Sequence, residues 1–173
     1  MLPKLTLVLG GAASGKSAFA EGLAKRSGRG LIYLATAQVF DDEMREKVRK
    51  HKEMRGEGWR THEAPMDLAP AIEAATGDDV ILLDCATMWL SNHLLAESDL
   101  TRAEAGLMAA LQDSKAPIIV VSNEVGLSVV PDNQLARRFQ NAQGRLNQSL
   151  ASRADLVVNV MAGLPQVLKG TLP

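Results

Sequence analysis

Leu5-Thr6-Leu7-Val8-Leu9-Gly10-Gly11-Ala12-Ala13-Ser14-Gly15-Lys16-Ser17 is the stretch on which the reading of the whole chain turns. An aliphatic run ends in glycines and small residues, and Phe19, Ala20, Leu23 and Ala24 then recur at helical spacing, with Gly28 as a stop signal. The order is strand, tight loop, helix. The loop satisfies G-x-x-x-x-G-K-[ST] and sits between the two elements such a loop requires. Small side chains let successive N–H groups and the helix N-terminus converge on a phosphate chain. Lys16 is then placed to reach β- and γ-phosphates, and the Ser17 hydroxyl to ligate Mg²⁺. The plainer alternative is a glycine-rich turn, against which all three fixed positions and their flanks weigh.

Working outward, four more aliphatic runs appear: Leu31 to Ala35, Val80 to Leu83, Ile118 to Val121 and Leu156 to Val160. Their β-branched content without in/out alternation predicts strands buried on both faces of a parallel sheet. Between them, Thr101 with Glu104 reads as a capping box for a helix carrying Leu107, Met108 and Leu111. Leu135, Phe139, Ala142, Leu146 and Leu150 predict a long amphipathic helix before the last run. Alternating elements imply an α/β fold with right-handed crossovers. At 173 residues, with no repeat, low-complexity tract or linker, the chain is expected to form a single domain, 1–173.

Composition narrows the class. Hydrophobic residues at 46% and charged residues at 23% exclude disordered, collagen-like and coiled-coil chains. A net charge of -1 supplies no global field for a polyanion, so no nucleic-acid partner is expected. The single cysteine, Cys85, excludes an internal disulfide framework. No run is long enough to span a bilayer and no signal-peptide pattern precedes Leu5, so a cytoplasmic protein starting at or near Met1 is expected.

Two further positions invite chemistry. Asp84 closes the run Val80-Ile81-Leu82-Leu83, the form of an acidic residue that supports a metal bound to a phosphate loop; the alternative is an N-cap for the next helix. Asp41 to Arg55 pairs acids and bases four apart, predicting a charged helix on which Met44, Val48 and His51 share one face. His51 is then either a partly buried structural histidine or a reacting group. Lys52, Arg55, Arg60 and the Trp59 indole follow it, either as phosphate cations with a base-stacking ring or as a solvated helix end. His62 and His93 read as surface or structural residues. Glu124, after the fourth run, either orients a substrate hydroxyl or bonds nearby backbone N–H groups in a turn.

Taken in order, the loop Gly10 to Ser17, Tyr33-Leu34-Ala35-Thr36-Ala37-Gln38, Asp41-Asp42-Glu43-Met44, His51-Lys52, Trp59-Arg60-Thr61 and Asp84-Cys85 form a pattern. It continues through Val121-Ser122-Asn123-Glu124-Val125-Gly126 and Val130-Pro131-Asp132-Asn133 to Gly144-Arg145-Leu146-Asn147-Gln148. The chain resembles the bifunctional adenosylcobinamide kinase / adenosylcobinamide-phosphate guanylyltransferase family over nearly all of residues 5–163. The resemblance implies a P-loop NTPase fold with a RecA-like, mostly parallel sheet flanked by helices, and a homotrimer. It implies phosphorylation of adenosylcobinamide by ATP or GTP, then transfer of GMP from GTP to adenosylcobinamide phosphate through a guanylylated histidine, which here is His51. By motif, Gly10, Gly11, Ala12, Ala13, Ser14, Gly15, Lys16 and Ser17 would bind nucleotide. So would Thr36, Ala37, Gln38, Lys52, Glu53, Met54, Arg55, Glu63 and Asp84, with Lys16 catalytic beside His51 and with Ser17 and Asp84 at Mg²⁺. Ala13 stands where many relatives carry Arg. Two rivals remain at this stage: a monofunctional small-molecule kinase on the same fold, and a RecA-like nucleotide switch.

Overall fold

The computed structural model describes residues 1–38 and 56–173. In chain order its elements are β1 (Leu5–Gly10), α1 (Lys16–Arg26), β2 (Gly30–Ala35), β3 (Trp59–Glu63), α2 (Ala69–Glu73), β4 (Asp79–Asp84), α3 (Ala86–Leu95), α4 (Leu100–Asp113), β5 (Ile118–Asn123), α5 (Gln134–Arg153), β6 (Leu156–Met161) and β7 (Leu164–Lys169). One seven-stranded sheet runs β3-β2-β4-β5-β1-β6-β7. Every pair is parallel except the β6–β7 hairpin, so the carboxyl ends of the first six strands share one edge.

The unbroken aliphatic runs are explained by two cores. Leu5, Leu7, Leu34, Ile81, Leu83, Ile118 and Val120 pack beneath α2 to α5, while Val8, Tyr33, Val80, Leu82, Ile119 and Val121 face Ala20, Leu23 and Ala24 of α1. Alternate residues serve opposite faces. Complete burial of a Leu or Ile side chain contributes roughly 2 kcal/mol, so the central strands supply much of the hydrophobic stabilisation.

Three local expectations are corrected. The sheet has two strands beyond the five runs, β3 and β7, both at edges where side chains are mostly exposed and carry no core pattern. Helix α4 is capped two residues before the expected Thr101: Asp99 is the N-cap, its carboxylate accepting from Arg102 N at 3.2 Å, because an extended aspartate serves the free amides as well as a threonine does. The cap of α3 is Cys85 rather than Asp84, and it makes no side-chain capping bond. The long helix α5 is as expected, and Asn133 caps it through Ala136 N at 2.8 Å.

Candidate functional site

The carboxyl edge of the sheet gathers most of the described candidates. Gly10 ends β1, and the loop turns through Ala13 at φ 55° and Gly15 at φ 91° before α1 starts at Lys16. A Cβ on Gly10 would lie 2.4 Å from Ser14 Oγ and 2.6 Å from Val160 O, so only glycine allows the loop to fold back here. Lys16 Nζ donates to Gly11 O at 3.0 Å, which arches the side chain back over the loop. The loop is braced from outside as well: Gly163, in the β6–β7 turn, donates its N–H to Ser14 O at 2.8 Å. Backbone N–H groups at the start of α1 are thereby held ready for an anion.

Two strands away, roughly 10 Å by strand spacing, Asp84 ends β4. Its Oδ2 accepts from the Tyr33 hydroxyl at 3.2 Å. The adjacent Cys85 thiol is pushed up to about 11, first by burial and then by the Asp84 carboxylate, while the Met88 and Thr87 amides and the Lys16 charge pull the other way. That thiol feels both Asp84 and Lys16, which therefore belong to one electrostatic neighbourhood. Ser17 stands in the first turn of α1, on the face Asp84 shares by strand alternation.

Thr36, Ala37 and Gln38 follow β2 at the same edge. The Thr36 hydroxyl is committed to the sheet: it donates to Cys85 O at 2.7 Å and accepts from Cys85 N at 2.8 Å, while Asn92 Nδ2 holds its carbonyl. What Thr36 offers a nucleotide is its place in the chain, not its side chain. Glu63 ends β3, exposed, opposite Ala35. His51 and Lys52, Glu53, Met54 and Arg55 lie outside the described residues.

Other readings of the sequence are redrawn. Trp59, read as a base-stacking ring, begins β3 at the amino edge of the sheet, away from the loop, with its ring edge-on to Tyr33 at 6.0 Å. Arg60 is not a phosphate cation but the ion-pair partner of Asp79. Glu124 takes the turn role: its Oε1 accepts from Gly126 N at 2.7 Å. His93 is structural, stacked edge-on against Trp89 with Nε2 3.3 Å from Met66 O, and His62 is exposed.

Sequence reasoning missed a polar group behind β5. Ser122 Oγ donates to Asn147 Oδ1 at 2.6 Å, Gln143 Nε2 donates to both oxygens at 2.9 Å, and Asn147 Nδ2 donates to Asn123 O at 3.1 Å. Gln143 and Asn147 lie one turn apart on the buried face of α5, among Ala142, Leu146 and Leu150. Polar residues in an apolar stripe are the signal that marks them, but only the fold supplies Ser122 as partner.

Among the described residues no three His, Cys, Asp or Glu side chains cluster as a metal cage. The donor set of one hydroxyl, Ser17, and one carboxylate, Asp84, suits Mg²⁺, which takes few protein ligands and completes its shell with phosphate oxygens and water.

A flagellar accessory protein, FlaH from Methanocaldococcus jannaschii, is superimposable with a TM-score of 0.54 at 14% identity, covering 98% of this chain and 80% of its own, a likeness of fold alone. The bifunctional adenosylcobalamin biosynthesis protein CobP of Pseudomonas aeruginosa is 43% identical over 95% of this chain and 96% of its own length. CobU of Salmonella typhimurium, described in the same words, is 39% identical over 95% of this chain and 99% of its own. The family described as cobinamide kinase / cobinamide phosphate guanyltransferase matches residues 6–168, from the strand that launches the phosphate loop to the last strand of the sheet, and to that family this chain belongs.

Proposed function

We propose that this chain is an adenosylcobinamide kinase and adenosylcobinamide-phosphate guanylyltransferase of cobalamin biosynthesis, acting as one domain and as a homotrimer in the cytoplasm. The observation that carries the reading is the anion cradle from Gly10 to Ser17, set at one sheet edge with Asp84 inside a family match that spans the fold. In the first reaction the acceptor hydroxyl oxygen attacks the γ-phosphorus of ATP or GTP and a nucleoside diphosphate leaves. In the second, a neutral imidazole nitrogen of His51 attacks the α-phosphorus of GTP, pyrophosphate leaves, and the GMP passes to the phosphate of adenosylcobinamide phosphate, giving adenosylcobinamide-GDP.

Both reactions load negative charge onto the β- and γ-phosphates. The loop amides and Lys16 stabilise that charge in each, which is how a single loop serves two transfers. Ser17 and Asp84 would hold Mg²⁺, which supplies charge neutralisation between phosphate oxygens when bound. Residues 36–38, Lys52 to Arg55 and Glu63 complete the nucleotide contacts. With a net charge of -1 the chain has no field to hold nucleic acid, and no helix among the described residues is long and apolar enough to cross a membrane.

The test is covalent. With GTP alone, α-³²P label should remain on the denatured protein, acid-labile and base-stable, on the peptide containing His51, and γ-³²P label should leave. His51→Ala should abolish this labelling and spare phosphorylation of adenosylcobinamide. Retained γ-label, or α-label on another residue, assigns the nucleophile elsewhere.

A further inference from the structure

Strand β5 lies between β1 and β4, so its carboxyl end stands between the phosphate loop and Asp84. Asn123, its last residue, is paired with Gly10 on one side, and Val121 is paired with Asp84 on the other. Alternation sends Ser122 toward α5, where it meets Asn147 and Gln143, and sends Asn123 to the opposite face, the one α1 and its loop occupy. The Asn123 backbone is held by side chains on both sides. Its N–H donates to Thr87 Oγ1 at 2.8 Å and its carbonyl accepts from Asn147 Nδ2 at 3.1 Å, while the next amide, Glu124 N, donates to Gly10 O at 3.0 Å.

The side chain held this firmly lacks a partner where it needs one. Asn123 Oδ1 is sealed from solvent and accepts no hydrogen bond among the described residues, as is true of Ser14 Oγ in the loop beside it. A desolvated acceptor without a donor is costly, and such groups persist where a ligand supplies the missing partner. The γ-phosphate bound by the loop offers only acceptors. The hydroxyl to be phosphorylated must come to the γ-phosphate at this edge, and it brings a donor.

We propose that Asn123 is a catalytic residue of the kinase reaction, its carboxamide oxygen accepting the hydroxyl hydrogen of the phosphoryl acceptor, and that Asn147 is a positioning residue acting through it. This rests on the function proposed above. As the acceptor oxygen bonds to the γ-phosphorus, the bond from that phosphorus to the β–γ bridging oxygen breaks and the nucleoside diphosphate leaves with its electron pair. Asn123 aligns the oxygen and takes no proton; the hydroxyl proton departs with the product phosphate. Guanylylation of His51 uses no hydroxyl and does not need Asn123.

Four variants, Asn123→Ala, Asn123→Ser, Asn147→Ala and the double Asn123→Ala/Asn147→Ala, are compared with wild type for fluorescent-GTP affinity, enzyme–GMP formation and adenosylcobinamide kinase kcat. Asn123→Ala should lower kinase kcat at least ~30-fold, with nucleotide affinity and enzyme–GMP formation within about threefold of wild type. Asn123→Ser, which keeps an acceptor oxygen, should recover part of the loss. Asn147→Ala should lower kcat about tenfold, and the double variant should be no slower than Asn123→Ala. Kinase kcat within threefold of wild type in Asn123→Ala, equal loss of both reactions, or additive losses in the double variant would overturn the assignment. A wild-type protein that carries out neither reaction would overturn the proposed function and this assignment with it.

Discussion

Strand β4 begins with one aspartate and ends with another, and the two have opposite surroundings. Asp79, at the amino edge, is buried and fully engaged: its Oδ2 accepts from the Thr76 N–H and hydroxyl, both at 2.9 Å, and its Oδ1 pairs with Arg60. These bonds hold its carboxyl below the usual value of 3.8, the Thr76 amide most, against the opposing effect of burial. Asp84, at the carboxyl edge, accepts from one described donor, the Tyr33 hydroxyl. A carboxylate has about four acceptor sites, so Asp79, with three taken, is nearly filled by the protein and Asp84 keeps capacity for something else. Elsewhere at the amino edge Asp155 caps Leu5 N and Lys4 bonds Gln112 O, while at the carboxyl edge Ser14 Oγ and Asn123 Oδ1 have no hydrogen-bond partner among the described residues.

Substitutions on each side of that contrast should separate chemistry from stability. Lys16→Ala should lower both transfer rates by two or more orders of magnitude, about 3 kcal/mol of transition-state stabilisation, with little change in the denaturation midpoint. Steady-state rates for each reaction measure this, and near-normal turnover in either one takes that reaction away from the loop. Asp84→Asn should cost roughly tenfold or more in both rates and move the Mg²⁺ requirement to higher concentration. A Mg²⁺ titration that superimposes on wild type would put Asp84 in the same structural class as Asp79 and erase the contrast.

Asp79→Asn should do the reverse, lowering unfolding free energy by about 1–2 kcal/mol while folded molecules keep their activity. Urea unfolding across pH sharpens the point. Because the folded carboxyl titrates below 3.8, the unfolded chain takes up the proton first. The stabilisation is therefore complete above that value and is lost as pH falls through the folded pKa. The gap between wild type and Asp79→Asn should be widest near neutrality and narrow in acid; a gap independent of pH would mean that packing, not charge, makes the difference.

Much of the carboxyl edge was legible because its determinants are local. Small residues at fixed spacing dictate the loop, and strands covered on both faces must be aliphatic throughout, so β1, β2, β4, β5 and β6 stand out. Edge strands carry no such mark: Arg60, Thr61, His62 and Glu63 are exposed and read as loop, and Leu164, exposed beside Pro165, hides β7 in the same way. Side-chain commitments are equally hidden. Whether a threonine offers its hydroxyl to a ligand depends on what lies across the sheet, and for Thr36 that is Cys85, 49 residues away. Arg60 looked like a phosphate cation because it follows Lys52 and Arg55 along the chain, while its partner Asp79 starts another strand. Ser122 and Asn147 join only when α5 packs on β5.

The hairpin that braces the loop bears on the order of assembly during synthesis. The nucleotide loop is made within the first twenty residues, yet β1 is hydrogen-bonded to β5 and β6, and Ser14 waits for the amide of Gly163. Both sheet neighbours of β1 and the brace are translated more than a hundred residues later. A ribosome-bound chain therefore carries a complete loop sequence long before it carries a nucleotide site, and such distant pairings are slow to close. Any nucleotide that steadies the folded state can act only after that closure, so it selects finished molecules and does not template nascent ones.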